Sequence, residues 1–152
     1  MPAALVVGAG PAGLVTAYRL RRSDWDVVVV ERSSAPPVRP VALTGFGLDA
    51  ARRMRLPLDL AELRKKLDVR CDTTIVRREP DRFGVTVTFS TGDVEWFDLV
   101  VDPEIRFAGM NDSMAIYAAE LFGDAFDIFR DPREALRWWY TNCLKSPEQS
   151  SF

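Results

Sequence analysis

Gly8, Gly10 and Gly13 stand in the spacing G-x-G-x-x-G within ALVVGAGPAGLVTAYRL at residues 4–20. The first glycine suits a tight turn, the second lets a backbone approach a pyrophosphate, and the third lets a helix pack closely on a strand. Pro11 and Ala12 complete the turn and open the helix, whose first N–H groups and positive dipole end attract phosphate oxygens. Glu31 follows eighteen residues after Gly13, at the end of the next apolar run. A carboxylate there can accept from both hydroxyls of a ribose. Glycine-rich turns also occur without ligands, so the pattern draws its weight from its surroundings: an apolar strand before, a helix after, and a second strand ending in an acid. Those surroundings favour a nucleotide cradle over a Rossmann-like scaffold that holds nothing.

Other chemistry is thinner. The sequence contains no histidine, which removes imidazole metal ligands, histidine triads and the usual proton shuttle near neutral pH. Acid–base work falls to Asp, Glu, Lys, Tyr, Cys or a bound cofactor. Asp102, Glu104 and Asp112 could form a carboxylate group, although loop and helix-cap duty accounts for such residues more readily. Cys71 and Cys143 lie outside any paired spacing, against a zinc site or a disulfide framework. Cys71 reads as a small buried hydrophobe in a strand. In WWY at 138–140, Trp139 and Tyr140 share a helical stripe with Leu136 and Cys143. Trp138 falls to the flank, open to a ligand or partner contact.

The elements that must position these residues alternate. Residues 3–7 and DVVVVER at 26–32 are continuous apolar runs, the pattern of strands buried on both faces. Between them Leu14, Val15, Ala17 and Tyr18 make the inner face of a helix ending in basic RLRRS. A proline-rich loop follows at 33–40, then helical segments over 46–54 and 59–67, broken at Pro57. Residues 68–79 read as extended, and FGVTVTFSTGDVEWFDLVV at 83–101 as a hairpin running into a buried strand. Two helices close the order, near 110–122 and 132–144, the second opened by Asp131, Pro132 and Glu134.

The 152 residues suffice for one ordinary core and predict a single domain over 1–152. Twenty basic against 22 acidic residues leave a net charge of −2, which argues against a general nucleic-acid binder. The basic stretches RR at 52–53 and RKK at 64–66 read as solvated helix faces. MPAALVVGAG has no basic leader and a short apolar run, so neither a signal peptide nor a membrane span is expected, and a cytoplasmic location is the default.

In order, VVGAGPAGL, VVVVER, GVTVTFSTGDVEWFDLVV, AGMNDSMAIYAAELF and DPREALRWWY resemble segments of the FAD-dependent aromatic hydroxylases and related monooxygenases. The resemblance implies an α/β Rossmann-like FAD-binding fold: a parallel sheet, an added antiparallel hairpin or meander, and two C-terminal helices. It further implies that Gly8, Gly10 and Gly13 face the pyrophosphate and Glu31 the adenosine ribose. Arg32 would lie beside the adenine, with the backbone around Ile75 at the adenine edge. Gly109, Met110 and Asn111 match the segment that meets the pyrimidine side of the flavin at a helix N-terminus.

The chain also departs from the family. RKKLDV runs straight across a region where the family has a long stretch, DPEIRF replaces a glycine–alanine–aspartate–glycine segment, and no substrate domain follows. The adenosine end of the site is therefore the better-marked half. An FAD-binding, monooxygenase-like oxidoreductase reduced to its nucleotide-binding domain is the first reading, with a place in small-molecule biosynthesis. A non-redox cyclase or isomerase derived from such a protein, or a non-catalytic nucleotide- or partner-binding remnant, are the alternatives. With that domain absent, Val85, Val87 and Phe89, or the opposite hairpin face with Trp96, are expected to be partly bare and to seek a homodimer or partner protein.

Overall fold

The computed structural model describes residues 1–34, 41–103 and 111–142. Strand β1 (Ala3–Val7) leads through the glycine-rich turn into helix α1 (Pro11–Arg21), and β2 (Asp26–Val30) returns beside β1. The two strands are parallel and in register from Ala3 opposite Asp26 to Val7 opposite Val30. Helices α2 (Gly45–Met54) and α3 (Leu60–Lys65) precede β3 (Asp68–Arg70), which adds to the outer side of β2. Strands β4 (Ile75–Pro80), β5 (Val85–Phe89) and β6 (Val94–Phe97) form an antiparallel sheet. The next strand, β7 (Leu99–Val101), rejoins β1 and completes the parallel order β3-β2-β1-β7. Helices α4 (Asp112–Ile128) and α5 (Pro132–Asn142) follow.

The period-2 alternation of a strand explains how short apolar runs bury two faces at once. On β1 and β2, Ala4, Val6, Val27 and Val29 point into the larger core with α1 and α4. Leu5, Val28 and Val30 point the other way, onto Val87, Phe89 and Phe97 of the antiparallel sheet. Three layers result: helices, parallel sheet, antiparallel sheet. Of the two hairpin faces named as alternatives for the bare one, that of Val85, Val87 and Phe89 is covered: Val87 and Phe89 are buried and Val85 is half-buried, because the hairpin folds under the parallel sheet. The exposed apolar side chains of this layer are Val76, Phe83, Val94 and Trp96.

Corrections follow from the same layering. Residues 68–79 are not one extended segment; β3 and β4 belong to different sheets, and the chain breaks at 71–74 with Asp72 in the left-handed region at φ 51°. Aspartate tolerates that conformation better than most residues. Cys71 accordingly lies outside the strands and is half-buried. Helix α4 runs to Ile128, beyond the expected end near 122, because Ala125 and Phe126 continue the face packed on α1 and Trp25. On α5, Trp139 is buried, donates to the Ala118 carbonyl at 2.9 Å and meets Phe122 edge-on. Tyr140 is largely exposed despite sharing its stripe, Trp138 packs on Phe129, and Cys143 lies outside the described residues.

Ion pairs lace the helical layer. Arg53 is not merely solvated: its guanidinium grips both oxygens of Glu120, a buried carboxylate on α4. Arg19 of α1 crosses α4 to reach Asp124 at 2.8 Å and Asp127 at 2.7 Å. It passes where Gly123 has no side chain, since a Cβ there would lie 2.6 Å from both Cζ and Nε of Arg19. Gly47 does the same for the first turn of α4, where a Cβ would strike Ser113. A helical glycine replaced by alanine gains about 0.5–1 kcal/mol of backbone stability, whereas overpacking costs about 1–3 kcal/mol. Overpacking therefore wins, and Gly123→Ala is expected to lower the urea midpoint with an unchanged slope. Equal or greater stability would show that Arg19 gives way freely.

Candidate functional site

The turn between β1 and α1 places Gly8 and Gly10 in different backbone conformations. Gly8 sits at φ 101°, which a side chain would strain. Its N–H still donates to Val30 O at 2.8 Å, so the parallel ladder extends one residue past β1. Gly10 is the N-cap of α1 at φ −74° and ψ −178°, an extended conformation open to any residue. Backbone conformation therefore does not require glycine at Gly10. Pro11 occupies the first helical position without an N–H, Ala12 and Gly13 are buried in the first turn, and the helical ladder starts with Leu14 N to Gly10 O at 3.0 Å.

Gly10, as N-cap, offers no capping side chain, and the first turn of the helix holds no acid. The positive end of the helix dipole lies at this turn, where an anion is favoured. The N-terminus of α4 is the opposite case. Asn111 accepts from Met114 N at 2.9 Å, Asp112 accepts from Ala42 N at 3.0 Å, and Ser113 Oγ accepts from Thr44 N at 2.8 Å. That end is filled by the protein's own groups. Gly109 and Met110, expected beside Asn111 in the site, lie outside the described residues.

Glu31, just beyond β2, faces the turn. Its Oε1 accepts from Ala9 N at 3.0 Å and its Oε2 from Ser33 N at 2.8 Å. Its backbone is tied as well, N to Arg70 O at 2.9 Å and O from Thr73 N at 3.0 Å. Arg32 is exposed next to it, and Ile75 is half-buried two residues past Thr73, opposite Phe89. The structure thus brings Gly8, Gly10, Pro11, Ala12, Gly13 and Glu31 to one end of the parallel strands, with the β3–β4 connection alongside. Of the three carboxylates weighed as an acid–base group, Asp102 is bound by Arg78 at 3.1 and 3.2 Å, Asp112 accepts from Ala42 N, and Glu104 lies outside the described residues. The described residues contain no cluster of metal-ligating side chains. The sequence reading missed Ser33 and Thr73 as partners of Glu31, and no local pattern marks them, because both contribute backbone N–H groups.

Burial pushes the Glu31 carboxyl up, but hydrogen bonds from Ser33 and Ala9, with Arg32 beside it, outweigh burial and hold it below the ordinary carboxylate value. A lowered folded value stabilises the protein fully above the unfolded carboxylate range, about pH 4.3, and that contribution is lost as pH falls through the folded value. Unfolding free energy measured in urea from about pH 5 to about pH 3 should therefore fall less steeply for Glu31→Gln than for the wild type. Parallel slopes would mean that the two N–H contacts do not hold the charge.

Residues 6–38 match the family described as NAD(P)-binding Rossmann-like domain. Over 53 residues, 34% of this chain, the sequence is 45% identical to Monooxygenase CTB7 of Cercospora beticola, and the aligned segment is 13% of that protein. The fold is similar to that of tetracycline destructase Tet(51), with a TM-score of 0.57 and 20% identity over 67% of this chain and 38% of that one. The Diels-Alderase PyrE3 of pyrroindomycin biosynthesis gives 0.54 at 21% identity, covering 67% and 32%. A mutant of halogenase PltM, solved in complex with FAD, gives 0.55 at 12% identity, covering 66% and 34%. The chain thus spans well under half the length of these proteins. Among the described residues no helix is long and apolar enough to cross a membrane. The Rossmann-type segment, the monooxygenase relative and the shared fold together support a likeness to the FAD-dependent hydroxylase-like proteins, in a short form.

Proposed function

We propose that the chain binds the adenosine diphosphate half of FAD and serves an oxidoreductase of the monooxygenase type. One observation carries this reading: the acid-free N-terminus of α1, opened by Gly8 and Gly10, stands beside a carboxylate at the end of the adjacent strand. A pyrophosphate would meet the positive end of this helix dipole. Gly10 leaves room for its approach, and each oxygen of Glu31 accepts one backbone N–H, leaving further lone pairs for ribose hydroxyls. Arg32 and the chain around Ile75 would flank the adenine. FAD, when bound, supplies the electron transfer; the residues here bind and orient its adenosine end. Asn111 and the Asp112 turn would lie toward the flavin.

A second reading, a non-redox cyclase that uses the pocket by positioning alone, draws support from the fold shared with the Diels-Alderase. The spectrum of the purified protein separates the two: reducible flavin absorbance supports redox chemistry, and turnover of a substrate without flavin reduction supports the cyclase. A homodimer or partner contact would use the exposed outer side of the antiparallel sheet, at Val94 and Trp96. A monomer at high concentration in light scattering removes that contact.

Calorimetry tests the cradle itself. FAD and ADP should both bind the wild type, and Gly10→Val should weaken both by at least about tenfold, some 1.4 kcal/mol, through the lost space. Unchanged affinities in Gly10→Val would overturn the assignment.

A further inference from the structure

Ala9 sits in the middle of the glycine-rich turn and is 3% exposed. A buried backbone N–H left without a partner costs about as much as a lost hydrogen bond. Gly8 N, before it, still belongs to the parallel ladder, and Leu14 N, after it, already belongs to the helix. Ala9 N has moved off the ladder, and a side chain receives it: Glu31 Oε1 at 3.0 Å. That side chain is itself held. Its other oxygen accepts from Ser33 N, its backbone N donates to Arg70 O, and its carbonyl accepts from Thr73 N. A carboxylate anchored at all these points presents Oε1 in one place.

We infer that Glu31 is a positioning residue for the pyrophosphate, in addition to accepting from the ribose. It fastens the Gly8–Gly13 turn in the shape that receives phosphate oxygens. The inference rests on the nucleotide reading above and makes a claim that ribose recognition does not. If Glu31 served only the ribose, removing its negative charge would leave the binding of a ribose-free anion unchanged or strengthen it, since like charges repel. If Glu31 shapes the turn, the same change weakens that binding. The two roles differ in sign.

The test compares wild type with Glu31→Gln, using inorganic pyrophosphate and ADP by calorimetry and the exchange rate of the Ala9 amide in the free protein. Glutamine offers one acceptor oxygen where the carboxylate offers two. Pyrophosphate affinity is expected to fall by about tenfold, and Ala9 exchange to rise by about tenfold or more, the usual worth of one hydrogen bond to a charged group. Equal or tighter pyrophosphate binding, or an Ala9 amide as protected as in the wild type, overturns the inference. If the wild type binds neither ligand, the nucleotide reading fails while Ala9 exchange still decides whether the clip exists. Should Glu31→Gln not fold, Glu31→Asp keeps the charge but withdraws the oxygens by one methylene, and the same losses are expected.

Discussion

Where the chain leaves β1 for α1, one buried amide passes out of reach of the sheet ladder before the helix can take it in. That amide, on Ala9, finds its acceptor on the neighbouring strand's exit, at Glu31. The bond joins the glycine-rich turn to the end of β2, and the backbone of Glu31 carries the connection onward to Arg70 and Thr73. Three stretches far apart in sequence are thereby held at one end of the parallel sheet. A carboxylate kept ionised by two N–H donors makes a firmer joint than a neutral acceptor would.

The rest of the architecture serves this joint by fixing the strands that carry it. β1 and β2 are covered on one side by α1 and α4 and on the other by the antiparallel sheet, so neither can shift register without misplacing both apolar sets. The helices are locked in turn by Trp139 beneath α4, by the Arg53–Glu120 pair, and by Arg19 reaching over Gly123. The loop at 42–44 donates to the Asp112 and Ser113 side chains, tying it to the N-terminus of α4, where Asn111 caps Met114 N.

The parts legible in the sequence are those written in local pattern. The apolar runs of β1 and β2, the G-x-G-x-x-G turn, the STGD hairpin and the Asp131 cap each depend on neighbours within a few residues, and each lies where expected. What the sequence hid depends on pairs distant in the chain. Nothing near Arg53 announces Glu120, 67 residues away, and nothing near Arg19 announces Asp124, 105 away. Which hairpin face is covered stayed open, because alternation says that a strand has an apolar face without saying what lies against it. The break at 71–74 was hidden because extended propensity does not reveal that a chain changes sheets.

An amide-resolved NMR titration with ADP tests the central claim most directly, because it reports where a nucleotide lands as well as whether it binds. The account requires the largest shifts at the Gly8–Leu14 turn and at Glu31 to Ser33, with the N-terminus of α4 little changed by a ligand that lacks the flavin. Saturable shifts centred elsewhere, or none at all, would contradict it.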